Sequence, residues 1–377
     1  MVHGAPVAAH AGASVPVVPV NRRNGEGKNM TTPAAVATRS GYQHEHVAVR
    51  RGERSGLPIV VAVHSTALGP ALGGCRLRHY PDWREGLADA LRLSTGMTYK
   101  CAAAGLPHGG GKAVIVAPAR PLSAAERRAA LLDLADAVDA LDGRYLTGPD
   151  VGTRPADMVT VGERTRHVCC LPTRYGGSGD SAPATARGVG AAIRAVCAYR
   201  FGSPAMTGRS VTVIGLGAVG ARVARSLAAA GARLTISDID PARRRLARTI
   251  GADWLEPANA LTAPADVLVP AAVGGILTAD AVSTLRCAAV AGPANNQLAE
   301  ESLAEDLHDQ GIIWVPDFVA SAGGVIYASA VEQRGLSRRQ ALADVDRIGT
   351  TVTALLAAAG SPHAAAVRLV RERLPGG

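Results

Sequence analysis

Apolar and polar positions along the chain change period several times, and each change marks an element. HVAVR and PIVVAVHS, joined by the polar turn RGERSG, have the β-branched content of strands paired as a hairpin or meander. The period then lengthens. In GLADALRLSTGM, Leu87, Ala90, Leu91 and Met97 fall near one face of a helix that delivers Lys100 at its end. Directly after Lys112 the apolar run AVIV predicts a buried strand. SAAERRAALLDLADAVDALDG opens with a Ser-x-x-Glu capping box at Ser123 and Glu126, carries Leu131, Leu134, Val138 and Leu141 at helical spacing, and closes at Gly143. RYLTGPDVGT follows as a short strand running into a loop that holds Asp150, and loops at strand ends are where α/β proteins place chemistry.

The second half alternates the apolar runs VTVIG, LTISD, DVLVPA, CAAVAG and IIWVPD with helices that end at glycines such as Gly231 and Gly311. That alternation predicts an α/β fold, with a parallel, doubly wound, Rossmann-like sheet in this half. YGGSGDSAPATARG, dense in Gly, Ser and Pro, reads as an interdomain hinge over residues 176–188. The expected organisation is a disordered extension over 1–40 with Met30 as an alternative start, a first α/β domain over 41–180, and a Rossmann domain over 181–325. Helices over 326–377 pack back on the first domain, and a cleft separates the two domains.

Composition agrees with two domains: 377 residues exceed what one compact core ordinarily holds. Glycine is abundant at 43 residues and aromatics scarce at 3%, as in an α/β protein with many close turns. The net charge of +9 raises the possibility of nucleic acid, but the arginines are scattered or lie on helix faces, as in RRRLAR, with no aromatic residues among them. A solvated surface is expected, with no nucleic-acid partner. Six cysteines show neither metal-ligand spacing nor a disulfide framework, so reduced thiols and no metal are expected. No apolar run reaches membrane-spanning length and VPVVPV is broken by prolines, which predicts a cytoplasmic protein.

Lysine usage changes the picture. Of 40 basic residues only Lys28, Lys100 and Lys112 are lysines, and the last two share the stretch GMTYKCAAAGLPHGGGK. Arginine stays protonated under physiological conditions, whereas a desolvated ammonium beside a second positive charge titrates closer to neutrality. The pair is therefore a candidate acid/base centre.

Gly215, Gly217 and Gly220 follow the strand VTVI and open a helix. The run Gly215-Leu216-Gly217-Ala218-Val219-Gly220 can thus hold a pyrophosphate against helix N-terminal amides. LTISD ends in Asp238, spaced to accept from adenosine ribose hydroxyls, which favours NAD over NADP. Arg243, Arg244 and Arg245 lie near enough to serve a 2′-phosphate, or form the exposed face of the next helix.

With HSTALGPALGG, GMTYK, GLPHGGGK, GRYLTGPDVGT, GLGAVG, GPANNQL and PDFVASAGGVI in order, the chain resembles the glutamate/leucine/phenylalanine/valine dehydrogenases from about Gly41 to about Ala359, within the leucine, valine and phenylalanine branch. The resemblance implies an oxidoreductase that converts an L-amino acid to its 2-oxo acid and ammonia with NAD, and the reverse. It also implies a homo-oligomer assembled through the first domain. Lys100 would bind the substrate carboxylate, Lys112 would activate water, and Asp150 would relay protons to and from the amine. Gly73 and Gly74 would admit the carboxylate or simply form a tight turn, and Met97 would border the substrate or pack the core. Thr185, Asn295 and Asn296 would lie near the nicotinamide and ribose, or act as turn formers.

By the same resemblance Leu72, Gly148, Val325 and Ala328 line the side-chain pocket. Leucine-type members carry larger residues at the positions of Gly148 and Ala328, so a roomier pocket is expected. Pro149 and Ser321 replace the glutamate and asparagine of many leucine-type members. Branched-chain substrates are placed ahead of aromatic ones. The alternatives are a 2-hydroxy acid dehydrogenase, for which His108 is the candidate base, and a non-catalytic NAD-binding relative.

Overall fold

The computed structural model describes Met1 and residues 43–374; the extension expected over 1–40 otherwise lies outside the described residues. The first sheet contains β1 (His46–Arg51), β2 (Pro58–Ser65), β3 (Ala71–His79), β4 (Gly109–Ala117) and β5 (Tyr145–Pro149), in the order β1-β2-β4-β3-β5. β1, β2 and β4 pair antiparallel, whereas β3 pairs parallel with both β4 and β5. Helix α1 (Trp83–Ala103) covers one face, and α2 (Ala124–Asp139) with α3 (Pro155–Val161) covers the other.

Side-chain parity builds this sandwich. On β2 and β4, Ile59, Val61, Ala113 and Ile115 pack with Leu131 and Leu134 of α2, and Val60, Ala62, Val114 and Val116 face α1. Successive strand residues point to opposite faces, so Lys112 shares the α1 side with Val114. The Ser123–Glu126 capping box is present, and α2 ends at Asp139, four residues before Gly143. Asp142 and Gly143, with φ of 45° and 82°, complete the turn.

Strand β3 departs from expectation. Gly73 and Gly74 do not form a tight turn; they sit in an interior strand between β4 and β5. A Cβ on Gly73 would lie 1.7 Å from the Gly111 carbonyl oxygen, so only glycine permits this approach. Two adjacent glycines erase the apolar alternation by which a strand is recognised.

The second lobe begins with α4 (Ala182–Phe201), so the segment expected as a hinge over 176–188 is loop only to Ser181 and helix beyond it. Next come β6 (Ser210–Ile214), α5 (Gly220–Ala229), β7 (Arg233–Ser237), α6 (Arg244–Ile250), β8 (Asp253–Trp254), α7 (Pro257–Ala260) and β9 (Ala265–Pro270). α8 (Ala279–Thr284), β10 (Cys287–Val290), α9 (Leu303–Asp309) and β11 (Ile313–Trp314) complete it. All its strand pairs are parallel, in the order β11-β10-β9-β6-β7-β8. This is the dinucleotide-binding topology, whose order reverses between β6 and β9 and opens a crevice at their carboxyl ends.

The chain closes with α10 (Asp317–Ala320), α11 (Gly323–Glu332), α12 (Arg338–Ala357) and α13 (Pro362–Arg373). These share one apolar core with α4, the β6–β7 face and the end of α1. Arg373 donates to the carbonyls of Ala102 and Ala103, both at 2.7 Å, at the end of α1.

Candidate active site

Helix α1 reaches the glycine run at extreme proximity. A Cβ on Gly110 would stand 2.1 Å from the Thr98 nitrogen, and one on Gly111 2.5 Å from the Tyr145 ring. The absent side chain of Gly110 lets α1 lie directly on β4, which brings Lys100 and Lys112 to one cleft. The cleft has a volume of about 260 Å³ and is lined by Leu72, Gly73, Gly74, Met97, Lys100, Lys112, Gly148, Asp150, Thr185, Val219, Asn295, Asn296, Val325 and Ala328. Pro149 and Ser321 line it too. Met97 lies against the apolar core and also lines the cleft.

The charged groups form a chain. Lys112 Nζ lies 2.9 Å from Asp150 Oδ2, and Arg76 Nε donates to that same oxygen at 2.9 Å. Arg76 also donates to Asp89 Oδ2 at 2.8 Å, which accepts from the Tyr80 hydroxyl at 2.6 Å. Burial pushes the Asp150 carboxyl up, but the charges of Lys112 and Arg76, with their hydrogen bonds, outweigh it and hold the group well below the usual carboxylate range. Asp150 is therefore an ionised acceptor beside Lys112.

Lys100 Nζ donates to Asn295 Oδ1 at 2.9 Å, a bond from α1 to the loop after β10. Burial lowers the Lys100 pKa; the charge of Asp317 opposes this and that of Lys112 adds to it. Asp317 itself is raised by burial, against the backbone N–H of Gln297 at 2.8 Å and the Lys100 charge. Asn296 has a left-handed φ of 51°, and its buried Nδ2 has no hydrogen-bond partner among the described residues.

Gly215, Leu216, Gly217, Ala218, Gly220 and Asp238 are outside the cleft lining, at the heads of β6 and β7. Leu216 is fully buried, so its side chain belongs to the core and only its backbone serves the loop. Its N–H donates to Asp238 Oδ2 at 2.6 Å, while Asp238 Oδ1 accepts from Asp240 at 2.8 Å. The fold itself requires two of the glycines. A Cβ on Gly215 would meet the Ala272 nitrogen at 2.6 Å, and one on Gly220 the Gly215 oxygen at 2.0 Å. Gly217 is different, because nothing stands within 4 Å of its absent Cβ. Open space before the first turn of α5 is what a dinucleotide pyrophosphate needs, and these residues fit one.

His108 lies outside the cleft lining, and both its ring nitrogens are engaged, with the Pro70 carbonyl at 3.0 Å and with Gln333 Oε1. It is not placed to act as a base on a bound hydroxy acid.

Comparison with known proteins agrees with this geometry. Residues 43–167 match the family described as Glu/Leu/Phe/Val dehydrogenase, dimerisation domain, and residues 238–344 match Glutamate/Leucine/Phenylalanine/Valine dehydrogenase. The chain belongs to this family. It is 40% identical over 339 residues to valine dehydrogenase of Streptomyces virginiae, covering 88% of this chain and 94% of that one. It is 41% identical over 293 residues to phenylalanine dehydrogenase of Caldalkalibacillus thermarum, covering 76% and 78%. The crystal structure of L-tryptophan dehydrogenase from Nostoc punctiforme superposes with a TM-score of 0.71 at 36% identity, covering 88% of this chain and 96% of that one. The chain is thus an oxidoreductase of the amino acid dehydrogenase class, which works with a nicotinamide cofactor.

Sequence reasoning missed Arg76, Asp317, Cys169 and Cys170. Asp317 lies within PDFVASAGGVI and stood in plain view, but nothing in its spacing marked it as a charge acting on Lys100. The two thiols change the pocket. Cys169 Sγ lies 2.9 Å from where a Cβ on Gly148 would stand, so the room expected from that glycine is partly filled.

Proposed function

We propose that this protein carries out NAD-dependent oxidative deamination of a hydrophobic L-amino acid to its 2-oxo acid and ammonia, and the reverse reductive amination. The observation that carries this reading is the 2.9 Å contact of Lys112 Nζ with Asp150 Oδ2 in the cleft that also holds Lys100. Lys100 gives the substrate carboxylate a buried cation, and Asp150 accepts the proton that the substrate ammonium must lose. When bound, the nicotinamide supplies the hydride acceptor for the α-carbon. Asp150 releases the substrate's proton to solvent and takes one from the Lys112 ammonium. The free Lys112 amine then accepts a proton from the water that attacks the iminium carbon, and Asp150 gives its own to the leaving nitrogen, which restores the pair. Thr185, Asn295 and Asn296 flank the side of the cleft facing the Rossmann lobe, and the unpaired Asn296 Nδ2 offers a donor to ligand there.

NAD rather than NADP is supported by Asp238 and by the nearby arginines. Arg243 pairs with Asp240 and Arg244 with Glu256, which takes both away from a 2′-phosphate. A branched side chain is supported by the thiols beside Gly148, which narrow a pocket otherwise walled by Leu72, Val325 and Ala328. The likeness to phenylalanine and tryptophan dehydrogenases supports an aromatic substrate as the second reading. Self-assembly through the first lobe is part of the proposal, resting on the dimerisation-domain match over residues 43–167.

A spectrophotometric screen of L-amino acids with NAD and NADP tests the whole reading. NADH formation that depends on valine or leucine is expected. Equal turnover of 2-hydroxy acids without ammonia, or no amino-acid-dependent reduction, overturns it.

A further inference from the structure

Cys169 and Cys170 are unlike the other cysteines. Cys75, Cys101 and Cys197 are buried singly in strands and helices, and Cys287 begins β10. Cys169 and Cys170 are adjacent, both line the cleft, and both sulfurs lie beside the Cα of Gly148. Both sulfurs flank the side chain that Gly148 lacks, 2.9 Å and 3.8 Å from where its Cβ would stand. A glycine there leaves them open to whatever enters the side-chain pocket.

The pair is fixed from behind. Cys170 has a left-handed φ of 59°, and its N–H is held by the Glu332 carboxylate of α11 at 2.9 Å. The Ser178 N–H holds the same oxygen at 2.6 Å. The neighbouring Cys170 thiol, together with burial, pushes the Cys169 thiol well above its ordinary pKa. Reactions that need the Cys169 thiolate, such as its oxidation by peroxide, are slowed by this shift.

Two alternatives fit the pair poorly. Neighbouring residues stand about 3.8 Å apart at Cα, closer than the separation a relaxed disulfide takes. Among the described residues no group of three or more His, Cys, Asp or Glu could hold a metal ion, so a third protein ligand is missing. A fixed pair of adjacent thiols suits a soft electrophile that needs two sulfurs and brings its own apolar third substituent.

We propose that Cys169 and Cys170 form a capture site for organic trivalent arsenicals, the arsenic bridging both sulfurs and the organic group lying against Leu72 and Ala328 in the side-chain pocket. With phenylarsine oxide the As=O bond breaks and two As–S bonds form. Both thiol protons leave with the oxygen as one water. Arsenic stays trivalent throughout, so neither oxidant nor reductant takes part. The bound group occupies the place of a substrate side chain. Only this last consequence rests on the amino-acid reading above.

The test incubates the full chain with phenylarsine oxide, measures intact mass, and maps the modified peptide. One phenylarsenic group per chain is expected, bridging the peptide that carries Cys169 and Cys170 and removed by 2,3-dimercaptopropanol. Cys169→Ser and Cys170→Ser each lose the chelate, weakening capture by about 100-fold or more, whereas Cys287→Ser retains it. A bridge mapped to other cysteines, or capture undiminished in both serine variants, overturns the site. Should either variant fail to fold, the peptide map of the unaltered chain decides. Valine together with NADH is expected to slow capture; a correctly mapped bridge that no amino acid slows leaves the dithiol site standing and counts against the amino-acid reading alone.

Discussion

Arg76 Nε donates to Asp150 Oδ2 at 2.9 Å, so the carboxylate that meets Lys112 is held by a second cation from β3. The folded pKa of Asp150 is depressed, so the stabilisation from its ion pairs is fully present above the ordinary carboxylate pKa and is lost as pH falls through the folded value. Arg76→Met removes one of the two charges. Asp150 then takes its proton at higher pH, and the acid limb of kcat/KM is expected to move up by about one pH unit. Stability should drop by about 3 kcal/mol, because Asp89 loses a buried partner as well. A pH–rate profile whose acid limb does not move removes Arg76 from this role.

Lys112→Arg keeps a cation beside Asp150 and removes a proton that can be exchanged. Turnover is expected to fall by about 100- to 10,000-fold while the variant still binds the reduced cofactor. Initial-rate kinetics with a fluorescence titration of the cofactor separate the two, and near-normal kcat would exclude Lys112 from proton transfer.

Lys100 binds a carboxylate only while charged, and burial lowers its pKa. KM for the amino acid should therefore rise as pH climbs, earlier than for an ordinary lysine. The sign for folding is the reverse: a folded pKa below the unfolded one means that stability contributed by this group increases as pH rises between the two. Asp317→Asn keeps an acceptor for the Gln297 N–H and removes the charge that opposes the shift. The rise in KM is expected to begin at lower pH in this variant, with kcat little changed. An unmoved onset in KM–pH profiles would break the link between the two residues.

Gly148→Ala places a methyl against Cys169 Sγ, where the ideal contact would be only 2.9 Å. A thiol can turn aside, but it turns into the pocket. The ratio of kcat/KM for phenylalanine to that for valine is expected to fall by about tenfold. A ratio that stays constant or rises would mean that this wall does not meet the substrate side chain.

Gly110→Ala tests how the two lysines are brought together. Its methyl would have to share space with the Thr98 nitrogen at 2.1 Å, and backbone cannot swing away as a thiol can. A loss of at least about 1 to 3 kcal/mol in thermal or denaturant unfolding is expected, with KM raised because α1 carries Lys100 outward. Unaltered stability and KM would show that the approach of helix to strand tolerates a side chain.

Where local chemistry and fold speak with one voice, the sequence was legible. The Rossmann half alternates clear strands and glycine-ended helices, and its strand order follows. Lys112, Asp150 and Lys100 came together as expected because each sits in a motif whose neighbours have little other reason to exist. Strand β3 was hidden because Gly73 and Gly74 serve a close backbone approach and leave no apolar pattern behind. Arg76 and Asp317 were hidden for another reason. Arg76 pairs with Asp150 and the charge of Asp317 acts on Lys100, each far off in sequence, and no spacing rule reaches that far. Cys169 and Cys170 read only as reduced thiols, because nothing in their spacing shows that both sulfurs lie beside the missing side chain of Gly148.

Arg373 closes the last described helix by gripping two carbonyls at the end of the helix that presents Lys100. The clasp lies 271 residues beyond the first carbonyl it grips, so the helix is made long before the side chain that secures its end. A chain stopped before Arg373 would leave Lys100 on a loosened stem, however well the cleft around it had formed.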